Sequence, residues 1–383
     1  MTARVWETAE GAALAIPHHI ETPSLVVDLP RVRENLDDMA RFAQAAGVDL
    51  APHVKTHRSV EFARMQIESG ASRLCVAKLS EAEHFIDAGF DRLVMAYPIA
   101  GGDKYERAKR LIPRADLRLS VDSLDAARGL SRSLSGSSLE AEVLLQIDTG
   151  FHRTGVLPET AVGLVRELVQ LDNLRFKGLI THEGHATGAG STEALERTAR
   201  EAGVLIADLA EKLRLLGIAV DSVSVGSTAT VKHSATPGVT EIRPGIYPFN
   251  DYGQVSMGTV GIERCAARVV ATVVSHAAPD RAIIDAGSKA LSQDQLSIWD
   301  EDTEPLHGLV IGHPGWKLRR LSEEHGWLQW EGEGQPTYLE IGSKVQILPV
   351  HICSVFHVLG EAEIVEEGEH VGTWASTARG LSK

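Results

Sequence analysis

The sequence is poor in cysteine and contains no long apolar run. Its three cysteines, Cys75, Cys265 and Cys353, are an odd number spread over 383 residues. This argues against a disulfide framework and favours a reducing compartment, so the cytoplasm is the expected location. No stretch of about 18 consecutive apolar residues occurs, so no membrane span is expected. The acidic first residues lack the basic flank and apolar core of a signal peptide.

Basic side chains are also scarce relative to acidic ones. The chain has 38 Lys and Arg against 52 Asp and Glu, which gives a formal net charge of −14. Nucleic acids and anionic membranes bind clustered Lys and Arg, so neither is expected as a partner. A local basic pocket for one small phosphate is compatible with this charge. With 43% hydrophobic residues, the chain can bury a sizeable core.

What the sequence does contain is a regular alternation of β-branched runs and amphipathic stretches, which is typical of βα units. Eight such units in about 230 residues predict an α/β fold, a (β/α)8 barrel of the TIM type. The predicted strands are Ser24–Leu29, Leu50–Thr56, Arg73–Leu79, Arg92–Pro98, Asp116–Asp122, Glu140–Asp148, Leu174–His182 and Asp221–Thr228.

The pattern changes after about Asp251 to β-rich runs divided by turn residues. This indicates a second, mostly β domain at the C-terminal end. The predicted domains are a barrel over residues 20–252 and a β-rich domain over residues 253–383, with residues 1–19 packing with the latter.

Polar clusters follow four of the predicted strands, at the end where barrels of this type build their active sites. The clusters are PHVKTHR, DTGFHRTG, THEGHATG and VGSTAT. Lys55 of the first lies in a predicted strand, where a charge is costly unless it is paired, solvated or used chemically. A buried lysine amine can form a Schiff base with an aldehyde cofactor or a carbonyl substrate. Gly226, Ser227 and Thr228 form a small-residue turn that could cradle a phosphate.

Histidines supply the other candidate groups. His182 and His185 could act as acid and base, since a histidine of near-neutral pKa suits proton transfer. An alternative makes them metal ligands of a hydrolase together with His57, but no H-x-H or HExxH pattern supports it. His53 and His57 flank Lys55, and a packing role there is as plausible as a catalytic one.

His351 and Cys353 are two residues apart in a predicted strand, which would place both side chains on one face. Imidazole and thiolate suit Zn²⁺, and two protein ligands would leave positions open for water or a substrate oxygen. The alternative, a buried cysteine beside a partly exposed histidine, is the more frequent outcome for an isolated H-x-C.

Taken together, the motifs TPSLVVDL, PHVKTH, DTGFHRTG, GSTAT and RPGIYPFND, in this order and spacing, resemble the fold-type III pyridoxal-phosphate enzymes, whose barrel is shared with alanine racemase. DAGSKALSQD, SEEHG and PVHICSV resemble the D-threonine aldolase and D-serine dehydratase branch. The resemblance spans nearly the whole chain. It implies pyridoxal 5'-phosphate and a divalent metal (Zn²⁺, Mn²⁺, Mg²⁺ or Co²⁺) as cofactors, and a homodimer.

The resemblance also implies a role for each matching residue. Lys55 matches the lysine that forms the Schiff base with the cofactor, and Arg153 matches an arginine that contacts the cofactor ring. The phosphate-binding turn and a tyrosine near it are matched by Gly226, Ser227, Thr228 and Tyr247. The metal-binding pair is matched by His351 and Cys353.

The implied activity is a lyase reaction on a D-configured β-hydroxy-α-amino acid. Cys353 favours dehydration, because aldolases of the family tend to have H-x-D and dehydratases H-x-C. The THEGH segment departs from the Tyr-His-Gly often found at this place in both branches, so dehydratase specificity is not assured. We expect retro-aldol cleavage to glycine and an aldehyde, as in D-threonine aldolase, with His182 or His185 as the base.

Three other functions compete with this expectation. A dehydratase would eliminate water from D-serine or D-threo-3-hydroxyaspartate and release a 2-oxo acid and ammonia, using the same residues. An amino-acid racemase has no use for a metal pair. A non-catalytic pyridoxal-phosphate carrier of this superfamily is typically a barrel alone, which the β-rich segment contradicts.

Overall fold

The structure, a computed structural model, describes residues 13–296 and 304–383, which fall into two compact units. The barrel unit comprises Asp38–Gly245 and Gly380–Lys383, and the β unit comprises the described residues up to Asp37 and Ile246–Arg379. Within these described ranges, no helix combines the length and the apolarity that crossing a membrane requires.

Strands and helices are numbered here in chain order. The strands are β1 Ser24–Asp28, β2 Asp49–Leu50, β3 Leu74–Val76, β4 Arg92–Pro98, β5 Asp116–Val121, β6 Ala141–Ile147, β7 Leu174–Thr181, β8 Ser222–Val225, β9 Glu241–Ile242, β10 Ala267–Ala278, β11 Arg281–Ile284, β12 Gly308–Ile311, β13 Trp316–Leu321, β14 Gly326–Trp330, β15 Lys344–Pro349, β16 Glu361–Glu366 and β17 Glu369–Ala375. The helices are α1 Leu29–Ala46, α2 Val60–Glu68, α3 Leu79–Asp87, α4 Gly102–Leu111, α5 Leu124–Leu134, α6 Pro158–Leu168, α7 Thr192–Leu215, α8 Val231–Ser234, α9 Tyr252–Ser256, α10 Ser288–Leu291 and α11 Ile352–Leu359.

The barrel unit contains eight described parallel strands in the order β2-β9-β8-β7-β6-β5-β4-β3. The two ends of this sheet meet, since the N–H groups of Ser72 and Cys75 donate to the carbonyls of Leu50 and Pro52 at 2.8 Å each. His53 also forms an isolated parallel bridge with Cys75. The predicted α/β barrel is therefore confirmed, and the carboxyl ends of its strands lie at one end.

The predicted number of barrel strands was right, but one predicted strand lies outside the barrel and one barrel strand was missed. The predicted first barrel strand, Ser24–Leu29, is β1 of the β unit, where it pairs antiparallel with β10 and parallel with β16. Its three central residues are buried, and such an apolar run does not distinguish a barrel from another covered sheet. The barrel instead includes β9, which is only two residues long and contains the buried Glu241. A strand this short shows no hydrophobic periodicity in the sequence.

The β unit is built on one nine-stranded sheet, in the order β11-β14-β13-β12-β15-β10-β1-β16-β17, with a further pairing of β11 and β10. That pairing closes six of the strands into an antiparallel ring, and β1, β16 and β17 extend it beyond β10. The second, mostly β part predicted from the sequence is confirmed. The described part of the N-terminal segment packs here, since Leu14 and Gln346 of β15 exchange hydrogen bonds of 2.9 and 2.8 Å.

Two helical glycines in the barrel unit, one packed and one in open space, provide a test of how α7 packs against α8. A Cβ at Gly203 of α7 would lie 2.3 Å from the carbonyl oxygen of Ser234, whereas a Cβ at Gly163 of α6 would meet nothing within 4 Å. Gly203→Ala should lower the free energy of unfolding by about 1–3 kcal/mol through overpacking. Gly163→Ala should raise it by about 0.5–1 kcal/mol. Urea unfolding of both variants measures this, and equal effects would contradict the α7–α8 packing.

Candidate active site

Lys55 lies at the carboxyl end of the first barrel strand, in a short turn of 3-10 helix over Val54–Thr56. The prediction that it sits within a strand was wrong, because β2 ends at Leu50 and Pro52 cannot donate to the ladder. Its side chain is exposed in the described chain. The amine is therefore accessible to a ligand at the functional end of the barrel.

The two histidines beside Lys55 have different surroundings. His57 is fully buried: its Nδ1 accepts the N–H of Ser59 at 3.1 Å and its Nε2 lies 3.3 Å from the Oε1 of Gln66. Burial lowers the pKa of His57 to about 4. His53 is near the lysine charge, and desolvation followed by that charge holds its pKa well below the usual value. The burial and contacts of His57 favour the packing role for this residue.

The turn after β6 carries Arg153. The carboxylate of Asp148 accepts the N–H groups of Gly150 and His152 at 2.9 and 3.0 Å, which closes the turn. The guanidinium of Arg153 lies 4.8 Å from the centroid of the Phe151 ring. That ring meets the ring of His182 edge-on at 5.6 Å. The predicted ring-contacting arginine and one predicted catalytic histidine therefore belong to one cluster.

His182 and His185 follow β7 and differ in their partners. The Nδ1 of His182 lies 3.5 Å from the carbonyl oxygen of Gly226, and a carbonyl can only accept, so this nitrogen carries the proton. Desolvation, with the charges of Lys55 and Arg153, lowers the pKa of His182 to about 3. The Nδ1 of His185 is buried with no hydrogen-bond partner among the described residues.

The predicted phosphate turn is present but partly occupied by protein groups. Gly226 has φ +115°, and a Cβ there would lie 2.4 Å from Val231, so only glycine fits. Its N–H donates to Oε2 of Glu183 at 3.1 Å, and the N–H of Ser227 donates to the hydroxyl of Thr230 at 2.9 Å. The hydroxyls of Ser227 and Thr228 also have partners, since the first lies 3.0 Å from the hydroxyl of Thr230 and the second accepts the N–H of Gly245 at 3.2 Å. A hydroxyl that accepts one hydrogen bond can still donate another, so a phosphate at this turn would meet hydroxyl groups rather than these two N–H groups.

Arg243 is a site residue that the motif analysis missed. It is buried, and its guanidinium donates to the hydroxyl of Ser224 and to the carbonyl of Thr181. Its charge is among those that lower the pKa values of His53 and His182, after desolvation and Lys55. The sequence signal that could have identified Arg243 is its place as the charged residue directly before the Pro-Gly of RPGIYPFND.

The remaining predicted residues lie in the β unit. Tyr247 is buried, and its carbonyl accepts from Nδ2 of Asn250 at 3.2 Å. His351 is the N-cap of α11 and Cys353 lies in its first turn. The predicted strand geometry of this pair was wrong, since β15 ends at Pro349. An apolar run such as HICSVFHVL suits a strand and a short helix equally well.

The two side chains nevertheless come together. A hydrogen bond with Cys353, reinforced by nearby carboxylates, raises the pKa of His351 to about 9. One of those carboxylates is Asp294, whose Oδ2 lies 3.5 Å from Nδ1 of His351 and accepts from Ser354 at 2.6 Å. The other, Asp251, is buried and accepts the N–H of Ile352 at 3.1 Å.

Both parts suit the groups that the motifs imply. In the barrel unit, the charges of Lys55, Arg153 and Arg243 all lower the pKa of His182, and such a concentration of positive charge complements an anionic, phosphate-bearing cofactor. In the β unit, imidazole and thiol are donors that Zn²⁺ accepts. Among the residues described, no three His, Cys, Asp or Glu side chains are grouped to hold a metal alone. A metal on His351 and Cys353 would therefore keep open positions.

Comparisons with known proteins find similarity in both the barrel part and the β-rich part of the chain. The family model for the N-terminal domain of alanine racemase matches residues 27–252, and that for a serine dehydratase domain matches residues 266–365. The chain is 34% identical over 370 residues to a D-threo-3-hydroxyaspartate dehydratase from Delftia sp., covering 93% of this chain and 97% of the relative. It is 30% identical over 369 residues to a D-threonine aldolase from Arthrobacter sp., covering 95% and 94%.

Solved structures agree with these similarities. The crystal structure of D-threonine aldolase from Filomicrobium marinum matches with a TM-score of 0.87 at 29% identity, covering 97% of this chain and 99% of that one. A variant of D-threo-3-hydroxyaspartate dehydratase in a metal-free form matches with a TM-score of 0.86 at 33% identity, covering 94% and 98%.

The burial of His57 predicts a pH dependence of stability. Its pKa falls from 6.5 in the unfolded chain to about 4 in the folded protein, so between these values the unfolded chain binds the extra proton. Uncharged His57 therefore contributes about 3 kcal/mol to the free energy of unfolding. This contribution is complete above pH 6.5 and is lost as the pH falls towards 4. We expect urea unfolding at pH 7.5 and 5 to show that the free energy of unfolding falls less in His57→Gln than in the wild type. The exposed His325→Gln is the control, and an unchanged loss in His57→Gln would contradict the assignment.

Proposed function

This chain belongs to the D-threonine aldolase and D-serine dehydratase family of fold-type III pyridoxal-phosphate lyases, and we propose that it cleaves D-configured β-hydroxy-α-amino acids to glycine and an aldehyde. The observation that carries the proposal is His185, whose buried Nδ1 has no hydrogen-bond partner among the described residues. A base for the substrate hydroxyl is what retro-aldol cleavage needs. The family resemblance read from the motifs is confirmed.

Pyridoxal phosphate is the cofactor expected for this family. Lys55 would bind its aldehyde carbon, and Arg153 would contact its ring. Ser227 and Thr228 would bind the phosphate with their hydroxyls on the turn that Gly226 shapes, with Tyr247 as the further family residue at that end. When bound, the cofactor supplies an electron sink for the carbanion that cleavage leaves.

His185 is a better candidate for the base than His182. The proton on Nδ1 of His182 is committed to the carbonyl of Gly226, and a pKa of about 3 makes its other nitrogen a weak base. His185 lies on the same loop, with its Nε2 3.1 Å from the position of a Cβ at Gly150. A side chain at position 150 would therefore crowd this ring, and the φ of +123° at Gly150 also favours glycine.

A divalent metal is the second group in the proposal, and His351 and Cys353 would hold it. Their donor set favours Zn²⁺ over Mn²⁺, Mg²⁺ or Co²⁺. When bound, the metal supplies Lewis acidity for the substrate hydroxyl group. Asp294 beside His351 would orient the imidazole, as carboxylates commonly do for metal-binding histidines.

Dehydration is the second candidate function, and Cys353 is the observation that favours it. The dehydratase relative from Delftia has a somewhat higher identity than the aldolase relative. In this reaction, the amine of Lys55 would take the α-proton of D-serine or D-threo-3-hydroxyaspartate, and a 2-oxo acid and ammonia would be released. We also propose that the protein acts as a homodimer in the cytoplasm, as the resemblance and the small, odd number of cysteines suggest.

The lysine assignment has a direct chemical test. Borohydride reduction of the yellow protein, followed by peptide mapping, should find the cofactor on Lys55, since its amine is exposed at the barrel end. Lys55→Ala should lose the absorption of the bound cofactor and the activity. Lys78→Ala is the matched control at a neighbouring strand end, and it should keep both. Label on Lys78 or Lys289 would show that the assignment is wrong.

The products formed from D-threonine decide between the two lyase reactions. We expect glycine and acetaldehyde, with no turnover of L-threonine. His185→Asn should lower kcat by about 10²–10⁴-fold and keep the cofactor absorption, since it removes only the base. A chelator should abolish turnover and leave the yellow colour. If 2-oxobutanoate and ammonia are the main products, the aldolase proposal fails and dehydration takes its place.

A further inference from the structure

Glu183 is a fully buried carboxylate at the functional end of the barrel that the proposed reaction does not use. One oxygen, Oε2, accepts the N–H of Gly226 at 3.1 Å. The other, Oε1, is buried without a hydrogen-bond partner among the described residues. A buried carboxylate is costly when only partly satisfied, so its presence needs an explanation.

The neighbouring His182 holds the same residue from the other side. Its Nδ1 lies 3.5 Å from the carbonyl oxygen of Gly226. Two consecutive residues after β7 therefore hold both polar backbone groups of Gly226. The ladder between β7 and β8 ends at the pair of Ile180 and Ser224, so these side chains continue the pairing where the backbone stops.

Gly226 is a residue that needs such support. Its φ of +115° lies in a region that glycine adopts without steric cost but does not favour over others. Ser227 and Thr228 follow directly, so the conformation of Gly226 decides where their hydroxyl groups point. Removing the acceptor of a buried N–H leaves that group unsatisfied and favours other conformations of the turn.

We propose that Glu183, together with His182, is a positioning residue for the phosphate-binding turn Gly226–Thr228. Glu183 holds the Gly226 N–H away from the ligand and presents the hydroxyls of Ser227 and Thr228 to the cofactor phosphate. This inference rests on the proposed function, because it requires pyridoxal phosphate as the ligand. Within the THEGH motif, His182 and Glu183 would then position the turn, and His185 would act as the base.

The test compares two ligands that differ only in the phosphate. Dissociation constants for pyridoxal phosphate and pyridoxal are measured by absorbance on protein freed of cofactor, for the wild type, Glu183→Ala, Glu183→Asp and Glu183→Gln. Loss of one satisfied buried N–H should weaken pyridoxal phosphate roughly tenfold in the Ala and Asp variants. Pyridoxal affinity should stay unchanged, and Glu183→Gln, which keeps an acceptor oxygen, should resemble the wild type.

Glu81→Ala is the matched control. Glu81 is equally buried and accepts the N–H of Ala77 at 2.7 Å after β3, away from the turn, while its other oxygen lies 2.7 Å from Nη2 of Arg58. Its removal should leave the ratio of the two affinities unchanged. Thermal unfolding of each variant checks folding, and Glu183→Asp keeps a buried carboxyl in place if Glu183→Ala does not fold.

Other outcomes overturn the inference. If all Glu183 variants lose turnover but keep the ratio of the pyridoxal phosphate and pyridoxal affinities, Glu183 acts as an acid or base instead. Tighter binding of pyridoxal phosphate by Glu183→Gln would show that the carboxylate only repels the phosphate. A wild type that binds neither ligand would instead overturn the proposed function itself, so the two failures are distinguishable.

Discussion

One buried carboxylate, Glu241, connects the interior of the barrel with its functional end. Its Oε2 lies 3.4 Å from Nε of Arg73 and 3.6 Å from Nη1 of Arg118, and its Oε1 accepts the hydroxyl of Ser224. That hydroxyl in turn accepts from the guanidinium of Arg243. Buried charges are costly unless they are paired, so Glu241 depends on its ion pairs with the two arginines and on its hydrogen bond from Ser224. The network therefore fixes Arg243, and with it the charge below the candidate site.

That fixed charge decides what the site histidines can do. With Lys55, Arg153 and Arg243 nearby and water largely excluded, His182 stays uncharged at neutral pH. An uncharged imidazole with one nitrogen committed to Gly226 serves geometry better than proton transfer. The surrounding cations are the features that an anionic cofactor would neutralise. The electrostatic surroundings of His182 therefore favour a positioning role for this histidine in the proposed reaction.

The predicted metal-binding pair, His351 and Cys353, serves both of the proposed lyase reactions. His351 caps a helix and Cys353 opens its first turn, yet their side chains are hydrogen-bonded. Both proposed lyase reactions would use a base, a lysine amine and a Lewis acid, and the candidates for these roles are His185, Lys55 and a metal on His351 and Cys353. Chemistry shared by two reactions cannot be separated by residue type. The separation depends on which proton the positioned base reaches first.

Strand-end clusters, the barrel and the β-rich second part were determined by the sequence alone, because βα periodicity and the meeting of carboxyl ends are local rules repeated along the chain. The motifs also identified Lys55, Arg153 and the turn from Gly226. Tertiary structure alone decided that β1 leaves the barrel, that β9 with its buried Glu241 completes it, and that Glu183 holds Gly226. These features depend on partners far apart in the chain, and neither hydropathy nor spacing encodes a buried polar contact across such distances.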